Sequence, residues 1–119
     1  MKRLSLVIAL VLGSLSVSAQ APNVTGKWIF DVQTDAGSGT PTITLKQDGE
    51  KLTGHYSGQL GENDITGTIQ GNKITFGFSG DFGGQAAKVT YTGTVEKDTM
   101  KGTVDLGGMA SGTFTGKKQ

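Results

Sequence analysis

The 119-residue sequence contains no cysteine and only one histidine, His55. The lack of cysteine excludes disulfide bonds and a cysteine-linked lipid anchor. Together with the single histidine, it also leaves zinc or copper without the ligands that these metals prefer. Small extracellular domains often depend on disulfides, so stability here must come from apolar burial and from the closure of every sheet edge.

An excess of charge of either sign is also missing. Eleven basic and ten acidic side chains give the whole sequence a formal net charge of +1. Two of the basic residues, Lys2 and Arg3, belong to the N-terminal segment, and the rest of the chain carries a net charge of −1. A nucleic-acid-binding domain normally shows a basic excess or a basic stripe, and this chain shows neither. We therefore expect no nucleic acid among its partners.

The N-terminal segment has the pattern of a signal peptide. A basic pair at residues 2–3 precedes an apolar stretch over residues 4–15, which is too short to span a membrane. Small residues follow at 17–19, and they predict cleavage between Ala19 and Gln20. We expect residues 20–119 to form a single secreted or periplasmic domain, because a chain of this length supports one modest core.

After residue 19 the apolar residues alternate with polar ones, and no helical period of useful length appears. The alternation predicts eight strands, the first at about 24–33 and the second at about 40–47. Sixteen threonines suit strands that are exposed on one face. The residues predicted to face inward are Trp28, Phe30, Val32, Ile43, Leu45, Leu52, Tyr56, Ile65, Ile69, Ile74, Phe76, Phe78, Ala87, Val89, Tyr91, Val95, Met100, Val104, Leu106, Ala110 and Phe114.

Six glycines share this inward parity in mid-strand: Gly26, Gly54, Gly67, Gly93, Gly102 and Gly112. Glycine there lets a strongly curved sheet bend and removes interior volume where strands crowd together. Similar segments around these glycines recur without a fixed period, which favours a meander over a stacked repeat. The polar outward face is opposite to that of an outer-membrane barrel. The sequence thus predicts an all-β fold, an eight-stranded antiparallel up-and-down β-barrel.

The predicted connections differ between the two ends of this barrel. Short turns at 48–49, 71–72 and 96–98 fall at one end, and two of them carry residues that accept positive φ. Longer connections at 34–39, 58–63 and 79–84 fall at the other end, together with a short glycine pair at 107–108. We expect one closed end and one open end rimmed by loops, where binding sites usually lie.

The Gly-Lys-Trp motif at residues 26–28, at the start of an eight-strand meander, resembles the opening of the calycin barrels, the lipocalins and avidins. The resemblance implies that Trp28 packs at the closed end, where Lys117 or Lys118 would place a cation on the indole. The short chain fits avidin size better than lipocalin size. Biotin binding is not carried over, because the chain has one tryptophan and Phe30 stands where streptavidin has a biotin-contacting asparagine. The chain also resembles short, threonine- and glycine-rich secreted bacterial proteins.

Catalytic chemistry finds little support in the sequence. His55 lies on the polar face of its strand, without a nucleophile motif or an inward carboxylate pair beside it. We expect neither an enzyme nor a cofactor. Four acidic residues fall near the predicted open end, where they are either solvated charges or a weak calcium site, and the absence of an Asp-x-Asp-x-Asp-Gly loop favours the former. They are Asp35, Glu62, Asp64 and Asp81.

The interior supports two alternatives. In the first, a small apolar or aromatic ligand enters the open end, contacts Phe30, Phe76 and Phe78, and accepts hydrogen bonds from Tyr56 and Tyr91. The residues expected to rim this opening are Leu60, Asn63, Phe82, Gln85 and Met109. In the second, aromatic rings fold over the inward glycines and fill the barrel, which would then be a secreted structural module or a module for protein or glycan contact. We expect a monomer in either case.

Overall fold

The computed structural model describes residues 23–82 and 84–119, apart from the side chains at 81 and 82. The predicted signal peptide, residues 1–19, and its cleavage site lie outside the described residues. The described part contains strands and turns and no helix. Accordingly, no helix of that part has the length and hydropathy needed to cross a membrane.

Nine strands follow one another along the described part of the chain, all antiparallel to their neighbours. They are β1 (Gly26–Thr34), β2 (Gly37–Gly39), β3 (Thr42–Asp48), β4 (Lys51–Gly58), β5 (Gly61–Gln70), β6 (Lys73–Phe82), β7 (Gln85–Glu96), β8 (Thr99–Leu106) and β9 (Ser111–Lys118). Seven pairs of β1 with β9 close the sheet into a barrel. Because β2 and β3 pair with successive parts of β1, the two together occupy one strand position of the barrel, which therefore has eight. The predicted eight-stranded up-and-down barrel is confirmed.

The predicted contrast between long and short connections is wrong. Between paired strand ends lie only two residues at 35–36, 59–60 and 83–84, as at 49–50, 71–72 and 97–98. The strand ladders continue into the segments expected to be loops, for example through the Gly58–Gly61 pair. Gly37 and Gly61 allow this, because their φ angles of +130° and +92° suit glycine and permit a tight reversal. The connection 107–110, between β8 and β9, is four residues long.

The two ends nevertheless differ in which elements they bring together. We call the end formed by the connections 35–36, 59–60, 83–84 and 107–110 the mouth. The closed end holds the connections 49–50, 71–72 and 97–98, together with the start of β1 and the end of β9. Because successive turns alternate between the ends of a meander, the prediction placed these segments at the correct ends.

The core agrees closely with the inward parity predicted from the sequence. Nineteen of the predicted residues are buried, and Val24 joins them. Ala110 packs against this core while partly exposed, and Ala87 is also partly exposed. No charged side chain and no polar side chain is buried in the described part of the chain. Apolar burial is therefore the main force that holds the barrel together.

The inward glycines sit where neighbouring strands approach closely. A Cβ atom on Gly54, Gly102 or Gly112 would collide with a carbonyl oxygen of the adjacent strand. Aromatic rings occupy the space above other glycines. A Cβ on Gly116 would lie 2.6 Å from the Phe30 ring, and a Cβ on Gly93 would lie 3.0 Å from Phe114. The missing side-chain volume is thus filled by neighbouring backbone and rings, as the second sequence-based alternative expected.

Candidate functional site

Aromatic rings fill the middle of the barrel. Phe30 stacks on Phe114 with ring centroids 4.9 Å apart, and Phe76 stacks on Tyr91 at 5.1 Å. Phe30 also meets Phe76 and Tyr91 at 5.9 and 5.6 Å, so the rings form one continuous cluster. Such pairs add stability beyond their burial. Phe30 and Phe76, which were predicted to contact a ligand, are thus packed in the core.

A cavity of about 540 Å³ lies above this cluster, at the mouth. Tyr56, Tyr91 and Leu106 contribute to its lining from the core side. Residues 36–41, around β2, form one wall, and Gly58–Leu60, around the β4–β5 turn, form the other. The cavity is lined mainly by apolar groups and contains two phenol side chains, a composition typical of small-molecule sites.

The cavity exists because the wall of the barrel is interrupted beside β2. The β3–β4 ladder ends at the Thr42–Ser57 pair, and β2 pairs within the described residues only with β1. Pro41 lies at this break. Its carbonyl oxygen accepts a hydrogen bond of 3.1 Å from the Phe30 amide, which keeps the segment attached to β1. Since proline has no amide hydrogen to donate back to the Phe30 carbonyl, the ladder with β1 is interrupted between β2 and β3.

Tyr56 reaches the edge of this gap. A Cβ on Gly58 would lie 2.8 Å from the Tyr56 hydroxyl and 2.9 Å from Cβ of Pro41, so the phenol fits against both residues only because residue 58 is glycine. The Tyr56 ring also packs on Phe78, with centroids 4.3 Å apart. Burial raises the pKa of the Tyr56 phenol, and the backbone amide of Leu60 partly offsets that rise.

Tyr91 is the most deeply placed polar group of the cavity, with 2% of the residue exposed. Its hydroxyl takes part in none of the hydrogen bonds between described residues. Yet no fully buried side-chain oxygen or nitrogen in that part of the chain lacks a partner, so the Tyr91 hydroxyl must be reachable from the cavity. Burial, with a smaller contribution from Tyr56, raises the pKa of Tyr91, which therefore stays protonated and can donate at neutral pH.

The other predicted rim residues have different positions. Leu60 lines the cavity. The Asn63 side chain donates a 3.0 Å hydrogen bond to the Leu60 carbonyl and thereby holds the β4–β5 turn. Gln85 is exposed at the start of β7, and Met109, 59% exposed, lies in the β8–β9 connection. The side chain of Phe82 lies outside the described part.

Residues 36–41 form a wall of the cavity that the sequence pattern did not predict. The segment was predicted to be a loop followed by an uninterrupted strand, whereas β2 precedes the break at Pro41. The signal was available, because a proline within a strand pattern indicates an edge strand or an interruption of the ladder. Leu106, which was assigned only to the core, is also a cavity residue.

At the closed end, the polar groups of Trp28 and Lys118 form hydrogen bonds to backbone carbonyls of the same chain. Trp28 is fully buried, and its indole N–H donates a 2.9 Å hydrogen bond to the Val24 carbonyl. Lys118, which pairs with Trp28 in register, crosses Gly26 and donates from Nζ to the Asn23 carbonyl at 3.1 Å. Lys117 instead lies exposed on the outer face. Of the two predicted lysines, Lys118 is therefore the one beside Trp28 in the sheet, and its ammonium group is bonded to the Asn23 carbonyl.

A polar cluster on the outer face joins β4 to β5. His55 Nε2 lies 2.7 Å from Glu62 Oε1, and the Ser57 hydroxyl donates to Glu62 Oε2 at 2.6 Å. Asp64 Oδ1 lies 3.6 Å from His55 Nδ1. The hydrogen bond to Glu62 raises the pKa of His55, and the bonds from Ser57 and His55 lower the pKa of Glu62. Because the Ser57 hydroxyl is bonded to the carboxylate and not to the imidazole, the arrangement does not activate a serine nucleophile.

Groups of three or more acidic, histidine or cysteine side chains placed to hold a metal do not occur among residues 23–82 and 84–119. No family model matches the sequence, and no match was found among curated proteins. What the chain shows is an eight-stranded antiparallel closed β-barrel, which is compatible with the calycin-like fold.

Proposed function

We propose that the protein is a non-catalytic binding protein that holds a small aromatic or apolar molecule in the mouth cavity. The observation that carries the proposal is the Tyr91 hydroxyl, a donor without a protein partner among the described residues, in a cavity lined mainly by apolar groups. Because this hydroxyl is reachable from the cavity, an acceptor atom on a ligand can take its hydrogen bond in place of solvent. The cavity volume of about 540 Å³ falls within the range of roughly 300–1,000 Å³ that is usual for ligand sites.

The chemistry of the lining favours a flat ligand with one hydrogen-bond acceptor. A ring can pack beside Tyr56, which is itself held by Phe78 and Pro41. An acceptor atom on that ring would receive the Tyr91 proton. Because the aromatic cluster below is tightly packed, the ligand occupies the mouth and does not enter the centre of the barrel.

Two further considerations support this function. The signal-peptide pattern of residues 1–19 favours a secreted or periplasmic protein. The calycin resemblance, to lipocalins and avidins, favours a barrel that receives a small molecule at its open end. The protein then acts as a monomer and needs no cofactor.

Native mass spectrometry of the protein purified from its own exported fraction tests the proposal directly. We expect a discrete added mass that is lost under gentle activation. The same ligand should then shift amide resonances of Tyr56, Leu60 and Tyr91, while Trp28 at the closed end serves as an internal reference that does not move. A bare mass, with no uptake from an extract of lipids and aromatic metabolites, would contradict the proposal.

Two variants locate the site. Tyr91→Phe removes only the hydroxyl and should weaken binding by about three- to ten-fold. Gly39→Leu should block the cavity, because a Cβ there meets the flexible, exposed Gln59 side chain at 3.2 Å and no backbone atom within that distance. Thr113→Leu, at an exposed position on β9, is the matched control and should bind normally. Equal binding by all three variants would place the ligand elsewhere.

The outer face favours a second candidate function, contact with a protein or a glycan. Five exposed threonines occupy one continuous row across β5 to β9: Thr68, Thr75, Thr92, Thr103 and Thr113. Their hydroxyls form a regular polar surface without long, flexible side chains. The double variant Thr92→Lys, Thr103→Lys should abolish partner capture in a glycan array or a crosslinking experiment, and leave the mouth ligand unaffected.

A further inference from the structure

A second interruption of the barrel wall lies between β5 and β6. Their ladder ends, on the mouth side, at the Thr66–Gly77 pair. Both strands nevertheless continue toward the mouth, through residues 61–65 of β5 and 78–82 of β6. Within the described part of the chain, these two segments pair only with β4 and β7, on their other sides. The sheet is therefore split over a length of about 15 Å, at roughly 3.3 Å for each residue of a strand.

A cleft of about 590 Å³ lies at this split. Asp64 and Thr66 line it from β5, and Ser79 and Lys88 line it from the hairpin of β6 and β7. Phe78 also borders the cleft, although only 5% of this residue is exposed. Among the described residues, the cleft and the mouth cavity have no lining residue in common. The split thus forms a separate site, with polar side chains outside and an apolar surface below.

Part of the β5 main chain faces this cleft without a partner strand among the described residues. Successive residues of a strand direct their amide and carbonyl groups to its two sides in turn. The Ile69 amide donates to the Glu50 carbonyl, next to β4, at 2.9 Å, so the odd-numbered residues of β5 bond toward β4. Because the β4–β5 register is continuous, the main-chain groups of Glu62 and Asp64 point to the cleft. Such an edge, here residues 61–65, is a template for another extended chain.

The side chains at this β5 edge indicate which chain it accepts. The Asp64 side chain is 96% exposed and lines the cleft, and Glu62 lies on the same outward face. Antiparallel pairing with the β5 edge of a second copy would set these carboxylates opposite each other, which destabilises a sheet. Basic residues opposite them would instead form cross-strand ion pairs. Lys88 borders the cleft from the other side, so a basic chain is favoured along β5 rather than along β6.

We propose that the β5 edge binds an extended peptide with alternating basic and apolar side chains, by strand addition. The peptide runs antiparallel to residues 61–65, with its basic side chains outward beside Asp64 and its apolar side chains inward toward Phe78. Main-chain hydrogen bonds to Glu62 and Asp64 supply the affinity, and the side chains supply the sequence preference. The site does not depend on the mouth ligand. It gives the protein-contact candidate a location and a class of partner.

Hydrogen exchange measured by NMR tests the edge in the unaltered protein. The amides of Glu62 and Asp64 should exchange fast, whereas those of Asn63 and Ile65, which face β4, should be protected. The capped peptide Lys-Val-Lys-Val-Lys, added at saturation, should slow exchange at Glu62 and Asp64 by about ten-fold or more. Slow exchange of these two amides in the free protein would show that the edge is already paired, and the inference would be wrong.

Matched peptides separate strand addition from attraction between charges. In antiparallel pairing, the peptide lysines opposite Glu62 and Asp64 direct their amides to β5, and the valines direct theirs away. N-methylation of these lysine amides should weaken binding by about ten-fold or more, and N-methylation of the valine amides by less than about three-fold. Glu-Val-Glu-Val-Glu should bind at least about three-fold more weakly at low ionic strength. Equal affinity of the two N-methylated peptides, or no binding of the unmodified peptide, would overturn the proposal.

Two variants at one position give the same test from the side of the protein. Asp64→Asn removes the charge and keeps the amide donor, so it should weaken binding of the lysine peptide by less than about three-fold. Asp64→Pro also removes the donor that faces the cleft and should weaken binding by about ten-fold or more, since proline is tolerated in edge strands. Equal binding by the two variants would contradict strand addition at this edge. The N-methylated peptides test the same hydrogen bonds in the wild-type protein, whatever the stability of the proline variant.

Discussion

The two ends of the barrel treat a buried amphipathic ring in opposite ways. Trp28 at the closed end and Tyr91 below the mouth are 0% and 2% exposed. The indole N–H of Trp28 is bonded to the Val24 carbonyl at 2.9 Å, whereas the Tyr91 hydroxyl faces the cavity without a partner among the described residues. The indole N–H of Trp28 thus takes part in holding the fold together, whereas the Tyr91 hydroxyl remains accessible from the cavity.

The walls differ in the same sense. Toward the closed end, β1 pairs with β3 on one side and with β9 on the other. At the mouth, β2 takes the place of β3 beside β1. Strand β4 does not pair with β2 among the described residues. A continuous ladder encloses the core, and the interruption opens the cavity. Substitutions at the mouth can therefore be compared with substitutions in the interior or at the closed end.

The largest effect is expected for leucine substitutions at inward glycines of the two regions. Gly67→Leu places its Cβ against the Thr75 carbonyl oxygen and Phe76, and should reduce the free energy of unfolding by about 3 kcal/mol or more. Gly39→Leu, at the mouth, meets only the Gln59 side chain and should cost less than about 1 kcal/mol. Urea denaturation measures both values. Equal destabilisation would mean that the mouth is as tightly packed as the interior.

The comparison of the two buried rings predicts the next effect. Trp28→Phe removes the bond to Val24 and leaves unfilled volume, so it should reduce the free energy of unfolding by about 2 kcal/mol. Tyr91→Phe removes a hydroxyl that no described residue binds, and should change stability by less than about 0.5 kcal/mol in the ligand-free protein. A large cost for Tyr91→Phe would reveal an internal partner for this hydroxyl and remove the argument for binding.

Much of this fold was predictable from the sequence. Strict alternation in segments such as residues 28–32 and 74–78 identified inward positions, and the crowding of inward glycines indicated strong curvature. Both patterns are local, because the side-chain period of a strand is fixed by the backbone itself. For the same reason the stacked rings of Phe30, Phe76 and Tyr91 were assigned correctly to the interior, although the sequence left open whether they filled it.

The mouth was predicted less well, because its shape depends on where ladders end. Gly58 pairs with Gly61, and Gly37 turns back onto β1, so segments rich in glycine extend hairpins that composition alone suggested were loops. The point where a ladder ends depends on the register between strands. Hydrophobic alternation does not fix that register, because a shift by two residues leaves the same side chains on the same face. The unpaired Tyr91 hydroxyl is a three-dimensional property, so the sequence could nominate this tyrosine without showing that its donor was free.

One closed-end turn contains a residue that is poorly suited to its backbone. Lys97 has a φ of +54°, whereas Gly49 and Gly71 occupy the left-handed positions of the other two closed-end turns. Lys97→Gly should therefore raise the free energy of unfolding by about 0.5–1 kcal/mol. Lys97→Ala controls for loss of the charge, since alanine keeps the Cβ atom and should not stabilise. Thermal and urea denaturation of the three proteins would distinguish backbone relief from an electrostatic effect.

The smallest effect concerns the ionisation of the mouth end. His55 is the single histidine of the sequence, and its NMR titration should give a pKa above the ordinary value of 6.5, mainly because Glu62 accepts a hydrogen bond from the ring. Glu62→Gln should return that pKa toward 6.5, with a smaller return for Asp64→Asn. A wild-type value at or below 6.5 would show that the pair does not form in solution.

The same pair determines how stability and mouth charge change with pH. Because the pKa of His55 is raised by folding, its contribution to stability is complete below about pH 6.5 and is lost as the pH rises through the folded value. The pKa of Glu62 is lowered below 4.5, so its contribution is present above pH 4.5 and is lost as the pH falls through the folded value. The pair is therefore most stabilising between these limits. Above them, loss of the imidazolium charge makes the mouth end more negative.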